Sequence, residues 1–153
     1  MIPVLEIYNN VEDALYTEAT SEQFLTALEA CLAKILTLPQ GPAHVLSDLS
    51  LVEISVVDDE VICDVHDRFL NDPTPTDVIT FPHGDGLGEI LVSIDTAKRQ
   101  AEELHIAPLQ ELFRYMVHGL LHLHGYLDAD PADRALMFSY QEPLVEEFGA
   151  SWA

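Results

Sequence analysis

Three side chains in the C-terminal part of the chain have the types and spacing to hold a metal ion. His118 and His122 lie four residues apart in the stretch 115–128, YMVHGLLHLHGYLD. On an α-helix that spacing stacks two imidazoles on one face, about one turn apart. Gly125 then offers a C-cap that lets the chain turn back. Asp128 follows within reach as a third ligand from the turn. Two nitrogens and one oxygen around an open position form a catalytic rather than a structural zinc site.

The HxxxH spacing is shared with the zinc-hydrolase motif HExxH, whose Glu serves as general base. Here the corresponding residue is Gly119, which argues against an ordinary metalloprotease. A residue without a side chain at 119 instead lets another part of the chain approach the helix closely. His124 is two residues from His122 and points to another side while the helix lasts. It reads as a helix-end residue near the C-terminal dipole.

The elements that position these residues follow from periodicity and punctuation. Pro108 opens the helix that carries both histidines, with Leu112, Tyr115, Met116, Leu120 and Leu123 as its buried side. After the 125–128 turn, Pro131 starts a last helix with Leu136, Met137, Tyr140 and Leu144 inward; Pro143 is expected to kink or break it. Upstream, residues 3–8, 50–57, 77–81 and 89–94 read as strands. Ile90, Val92 and Ile94 share one face of the last.

A first helix is predicted from a capping box of Thr20 and Gln23, with Phe24, Leu28, Cys31 and Ile35 as its stripe. Leu25, Leu32 and Leu36 lie beside that stripe. Asp58 and Asp59 cap a helix over about 60–70, and Asp95 or Thr96 caps another that ends near Leu104. Residues 71–77, NDPTPTD, are loop. Strands and helices mix without strict alternation, which predicts an α+β fold with a mixed sheet of about four strands.

The length, 153 residues, suits a single domain spanning 1–153. Cys31 and Cys63 fit a reducing compartment. The N-terminus lacks the basic and apolar regions of a secretory signal, and no apolar run approaches the ~18 residues of a membrane span. The expectation is a cytoplasmic protein with no membrane partner.

Six Lys and Arg against 27 Asp and Glu give a net charge of −21. That balance excludes tight nonspecific binding to nucleic acid through phosphate neutralisation over a broad surface, but not a local basic patch. Arg68, Lys98, Arg99 and Arg114 are four of the five cations that precede the paired histidines. Arg114 falls four residues before His118 and so on the same helix face.

These residues together carry a recognisable pattern. HGLLHLHGYLD, read with the upstream PTDVITFP and LGEILVSIDTAKRQAEE, resembles the YbeY family of rRNA maturation factors, regarded as single-strand-specific endoribonucleases. The similarity runs from about residue 60 to 148, and HGxLHLxGY is its specific part. The resemblance implies a mixed sheet with helices, and a metal held by a helix and the turn after it. It also implies one Zn²⁺ per chain and a role in small-subunit rRNA 3′-end processing and ribosome quality control. The implied partners are single-stranded RNA, the small ribosomal subunit and ribosomal proteins.

On this reading His118, His122 and Asp128 are the metal ligands, and a metal-activated water carries the hydrolysis. No side chain is assigned as general base, and attack by the RNA 2′-hydroxyl is equally open. Arg114 and Arg68 are the candidates for holding substrate phosphate. Thr76 and Asp77 are candidates for shaping the cleft, although Asp77 also suits plain turn chemistry.

The chain departs from the commoner family pattern twice. Asp128 stands where a third His is usual, and Leu70 stands where an Arg usually precedes the TDV segment. Two other readings remain at this stage: a ribosome-assembly factor whose metal is structural, and a zinc hydrolase of another substrate class.

Overall fold

The computed structural model describes residues 2–153. Four strands form one mixed sheet in the order β1-β2-β4-β3: β1 (Val4–Asn9), β2 (Leu51–Val57), β3 (Val78–Pro82) and β4 (Leu87–Ser93). β1, β2 and β4 run parallel, with Ile7 beside Ile54 and Ile54 beside Ile90. β3 returns antiparallel on β4, so its outer edge is unpaired. The α+β architecture with a mixed four-stranded sheet is the one expected from the sequence.

Five helices cover the sheet: α1 (Glu18–Ile35), α2 (Asp59–Leu70), α3 (Ile94–Leu104), α4 (Pro108–Leu123) and α5 (Pro131–Phe148). Short 3₁₀ turns occupy Leu46–Asp48 and Ala150–Trp152. The main core lies between one sheet face and α1, α4 and α5, where Phe24, Leu28, Ile54, Ile90, Phe113 and Leu120 are fully enclosed. α2 packs on the other face, setting its Ile62 against Val57, Ile79 and Leu91. Each large apolar side chain so buried contributes about 1.5–3 kcal/mol.

Four local expectations are corrected. α1 is capped by Thr17, whose hydroxyl accepts from the Thr20 N–H at 3.3 Å, so Thr20 lies inside the helix. β4 ends at Ser93 and Ile94 already begins α3, because the Ser93 hydroxyl accepts from the Thr96 N–H; serine is a strong cap and precedes both Asp95 and Thr96. α5 runs unbroken through Pro143. That proline is exposed, and burial of Met137, Leu144 and Val145 to either side offsets the roughly 3 kcal/mol it costs a helix. In the same helix Leu136 is exposed, and the inward position next to Met137 is taken by Gln141.

α4 is the central helix. All five of its expected buried residues are buried, and Phe113, Val117 and Leu121 join them. Gly119 is where it meets the sheet: a Cβ there would stand 2.7 Å from Cγ2 of Ile90 on β4. The missing side chain therefore sets how closely the histidine helix approaches the strands.

Candidate metal centre

α4 ends in a Schellman motif. The Gly125 N–H donates to the His122 carbonyl at 2.9 Å and the Tyr126 N–H to Leu121 at 3.1 Å, with Gly125 at φ +105°. This is the glycine stop expected at that position. The loop 38–45 locks the turn from outside. Its Gly41 N–H donates to the His124 carbonyl, its Val45 N–H to Leu123, and the Tyr126 hydroxyl reaches the Pro39 carbonyl. His124 belongs to this lock: it is buried and its Nε2 bonds the Leu38 carbonyl at 3.0 Å.

The turn delivers Asp128 to the two histidines. Asp128 Oδ2 lies 3.2 Å from His118 Nε2 and 3.4 Å from His122 Nε2, and one ligand atom from each residue lies within 4.8 Å of the others. The imidazoles stand perpendicular, ring centroids 4.5 Å apart. Side-chain exposure rises from 13% at His118 to 25% at His122 and 41% at Asp128, so the cluster opens to solvent on the carboxylate side.

Hydrogen bonds fix which nitrogen faces inward. Gln141 Nε2 donates to Glu142 Oε2 at 3.0 Å, which turns its Oε1 toward His118 Nδ1 at 2.7 Å. A carbonyl oxygen only accepts, so His118 Nδ1 carries the proton. His122 Nδ1 donates to the Tyr126 carbonyl at 2.9 Å. In a neutral imidazole the other nitrogen then presents a lone pair. His122 is kept neutral: burial and the neighbouring His118 lower its pKa, outweighing the Asp128 carboxylate.

Nε2 of both histidines and an Asp128 carboxylate oxygen therefore face one another, at 3.2 Å from His118 and 3.4 Å from His122, an arrangement that suits a cation. Tetrahedral zinc, with bonds of about 2.0–2.1 Å, separates its ligand atoms by about 3.4 Å. The residues present fit such an ion, and each histidine has the outer hydrogen bond that metal-ligating histidines use.

A groove lies on either side of the cluster. One, of 540 Å³, is lined by His118, Arg114, Glu111, Gln141, Glu142 and Asp77 together with Ile106 and Phe138. The other, of 370 Å³, runs along β3 past His122 and includes Leu70 and Val45.

The remaining expected site residues are placed unevenly. Arg114 lies in the first groove beside His118, but both Glu142 oxygens accept from it (Nε at 3.0 and 3.2 Å, Nη2 at 2.9 Å) and Nη1 bonds buried Glu111. Burial works against its charge and these carboxylates overcome that, raising its pKa. Arg68 is exposed on α2, paired with Asp64 at 3.0 Å and lying over the Phe69 ring; it lines neither groove. Asp77 lines the first groove and also accepts from the Val78 N–H and the Thr76 hydroxyl. Thr76 touches it only locally.

Sequence reasoning missed Gln141 and the Tyr126 carbonyl. A polar residue inside the apolar stripe of α5 was the available signal for the first; a backbone carbonyl leaves none.

Known proteins resemble this chain in sequence and in fold. A family model described as Endoribonuclease YbeY matches residues 9–149. A Myxococcus xanthus protein named Endoribonuclease YbeY is 38% identical over 128 residues, which is 76% of this chain and 44% of that longer protein. One of the same name from Thermobifida fusca is 35% identical over 115 residues, 67% of this chain and 72% of that one. The solution structure of TM1509 from Thermotoga maritima superposes with a TM-score of 0.65 at 26% identity, covering 97% of this chain and 91% of that one.

Proposed function

The chain belongs to the Endoribonuclease YbeY family, and on that premise we propose that it is a zinc-dependent endoribonuclease specific for single-stranded RNA. Its substrate is the 3′ end of small-subunit rRNA, and it acts in the cytoplasm in rRNA maturation and ribosome quality control, alongside ribosomal proteins. The whole of residues 1–153 forms one domain for this purpose. The observation that carries the reading is the convergence of two inward-facing imidazole nitrogens and a carboxylate, with a groove on the His118 side and another on the His122 side.

His118, His122 and Asp128 hold one Zn²⁺. A bound zinc supplies Lewis acidity and activates water at neutral pH. The protein's own part is preorganisation. Gln141 and the Tyr126 carbonyl keep both imidazoles in the tautomer that offers Nε2, and the low pKa of His122 keeps its lone pair available. Asp128, the most exposed of the three, leaves the solvent side open to a phosphodiester. Arg114 meets a substrate phosphate only by exchanging its half-exposed Glu142 partner for it.

The test is cleavage of a single-stranded RNA by zinc-loaded protein, with a duplex of the same sequence and Asp128→Ala alongside. The single strand is cut, and the duplex and the variant give no product. Equal cleavage by Asp128→Ala sinks the proposal.

One observation favours a second reading, a non-catalytic assembly factor with a structural metal: Leu70 lines the same groove as His122, at a position where the family usually has Arg. Zinc-loaded protein that cuts no RNA yet copurifies with small-subunit particles decides for it.

A further inference from the structure

Of the six lysines and arginines, five are held by carboxylates. Lys34 pairs with Glu147, Arg68 with Asp64, Lys98 with Asp13, Arg99 with Asp59, and Arg114 with Glu111 and Glu142. Arg134 is the exception among the described residues. It is exposed in the first turn of α5, and its polar contact there is Nε donating to the backbone carbonyl of Asp128 at 3.2 Å. Both Nη groups are left free. The single unpaired guanidinium of a chain carrying −21 is thus tethered to the backbone of a metal-ligand residue.

The position has a second feature. Residues 134, 138 and 141 share one helix face. Gln141 on that face touches His118. Phe138 is 42% exposed and lines the same groove as His118. Along the metal centre, α5 therefore presents a free planar cation and, one turn on, an open aromatic ring.

We propose that Arg134 and Phe138 are the residues that hold single-stranded RNA at this centre. The Arg134 Nη groups grip a phosphodiester through the paired donors that suit a phosphate. The Phe138 ring stacks a base, a contact that any base can make. Arg134 thereby supplies the charge that the family pattern usually places at the Leu70 position. The inference rests on the RNA-directed reading of the site above.

The experiment measures binding rather than turnover. Zinc-loaded wild type, Arg134→Gln, Arg134→Lys and Phe138→Ala are titrated by fluorescence anisotropy into a labelled, single-stranded 2′-O-methyl oligouridylate over a range of salt. Arg134→Gln weakens binding about tenfold and lowers the slope of log affinity against log salt by about 0.7, the single-strand value for one phosphate contact. Arg134→Lys restores the slope. Phe138→Ala weakens binding about 5- to 150-fold and leaves the slope unchanged.

An Arg134→Gln titration that superposes on wild type at every salt overturns the proposal, and so does a wild type that does not bind the strand. If wild type cuts RNA while Arg134→Gln superposes, this inference falls and the endoribonuclease reading stands. If wild type binds with an Arg134-dependent slope but cuts nothing, the inference stands and that reading falls.

Discussion

The two grooves on either side of the candidate metal centre, one lined by His118 and one by His122, are built from different material. On the His118 side, helices α4 and α5 contribute Glu111, Arg114 and Glu142, and Asp77 adds a further carboxylate. Charge is dense there, but it is largely spent internally in the Arg114 clamp. On the His122 side the walls are Leu70, the loop at Ala43 and Val45, and the β3 strand, with no Lys, Arg, Asp or Glu among the lining residues. Its polar side chains are those of Thr80 and His122, and β3 adds backbone groups as an edge strand. The difference teaches where this acidic chain can meet a polyanion. The apolar groove offers no repulsion and no grip, so grip must come from the helical side.

The largest expected effect removes what the grooves share. His122→Ala leaves one imidazole and one carboxylate, and zinc affinity falls by more than the roughly 100-fold that outer hydrogen bonds command. Mass spectrometry of native protein then finds little bound metal, and RNA cleavage is lost. Retention of stoichiometric zinc by this variant would mean that the ligand set is wrong.

The next effect separates the two sides. His118 is oriented by a side chain and His122 by a backbone carbonyl, so only the first can be unfastened by substitution. Gln141→Leu lowers zinc affinity about 10- to 100-fold, and Gln141→Glu, which still accepts from Nδ1, recovers most of it. Competition against a fluorescent chelator reads both.

Leu70→Arg tests the other groove by adding a cation to its lining. RNA binding tightens a few-fold and the salt slope steepens by about 0.7; an unchanged slope would show that the strand does not pass along β3.

The smallest effect is in acid. The folded pKa of His122 lies below the ordinary 6.5, so between those values the unfolded chain binds the extra proton. Metal-free protein accordingly loses stability as pH falls from about 6.5 toward the folded value, and this contribution is flat above. Urea unfolding at pH about 7.5 and about 5.5 gives a larger difference for wild type than for His122→Ala.

Much of the molecule was legible because its signals are local. The helix with HxxxH, the Gly125 stop, Asp128 in reach beyond it and Pro108 at the helix start are all encoded within a few residues of one another, and the structure brings them together as expected. Where neighbouring local signals compete, the sequence misleads: Thr17 caps α1 in place of Thr20, and Ser93 caps α3 in place of Asp95 or Thr96. At Pro143 a strong local signal loses to packing, because the residues on both sides are buried against the core.

By itself, then, the sequence determined the types of the clustered side chains, the helical spacing of the two histidines and the mixed sheet that backs them, since each depends on residues close along the chain or on an alternating pattern within one strand. Only the tertiary structure decided which nitrogen of each histidine faces the others and which cation stays unpaired. His118 is oriented from α5, 23 residues away. Arg114 is neutralised by Glu142, 28 residues on, while Arg134 escapes pairing. Hydrogen bonds and ion pairs between distant elements have no periodicity to announce them, and they form only once packing has brought the elements together.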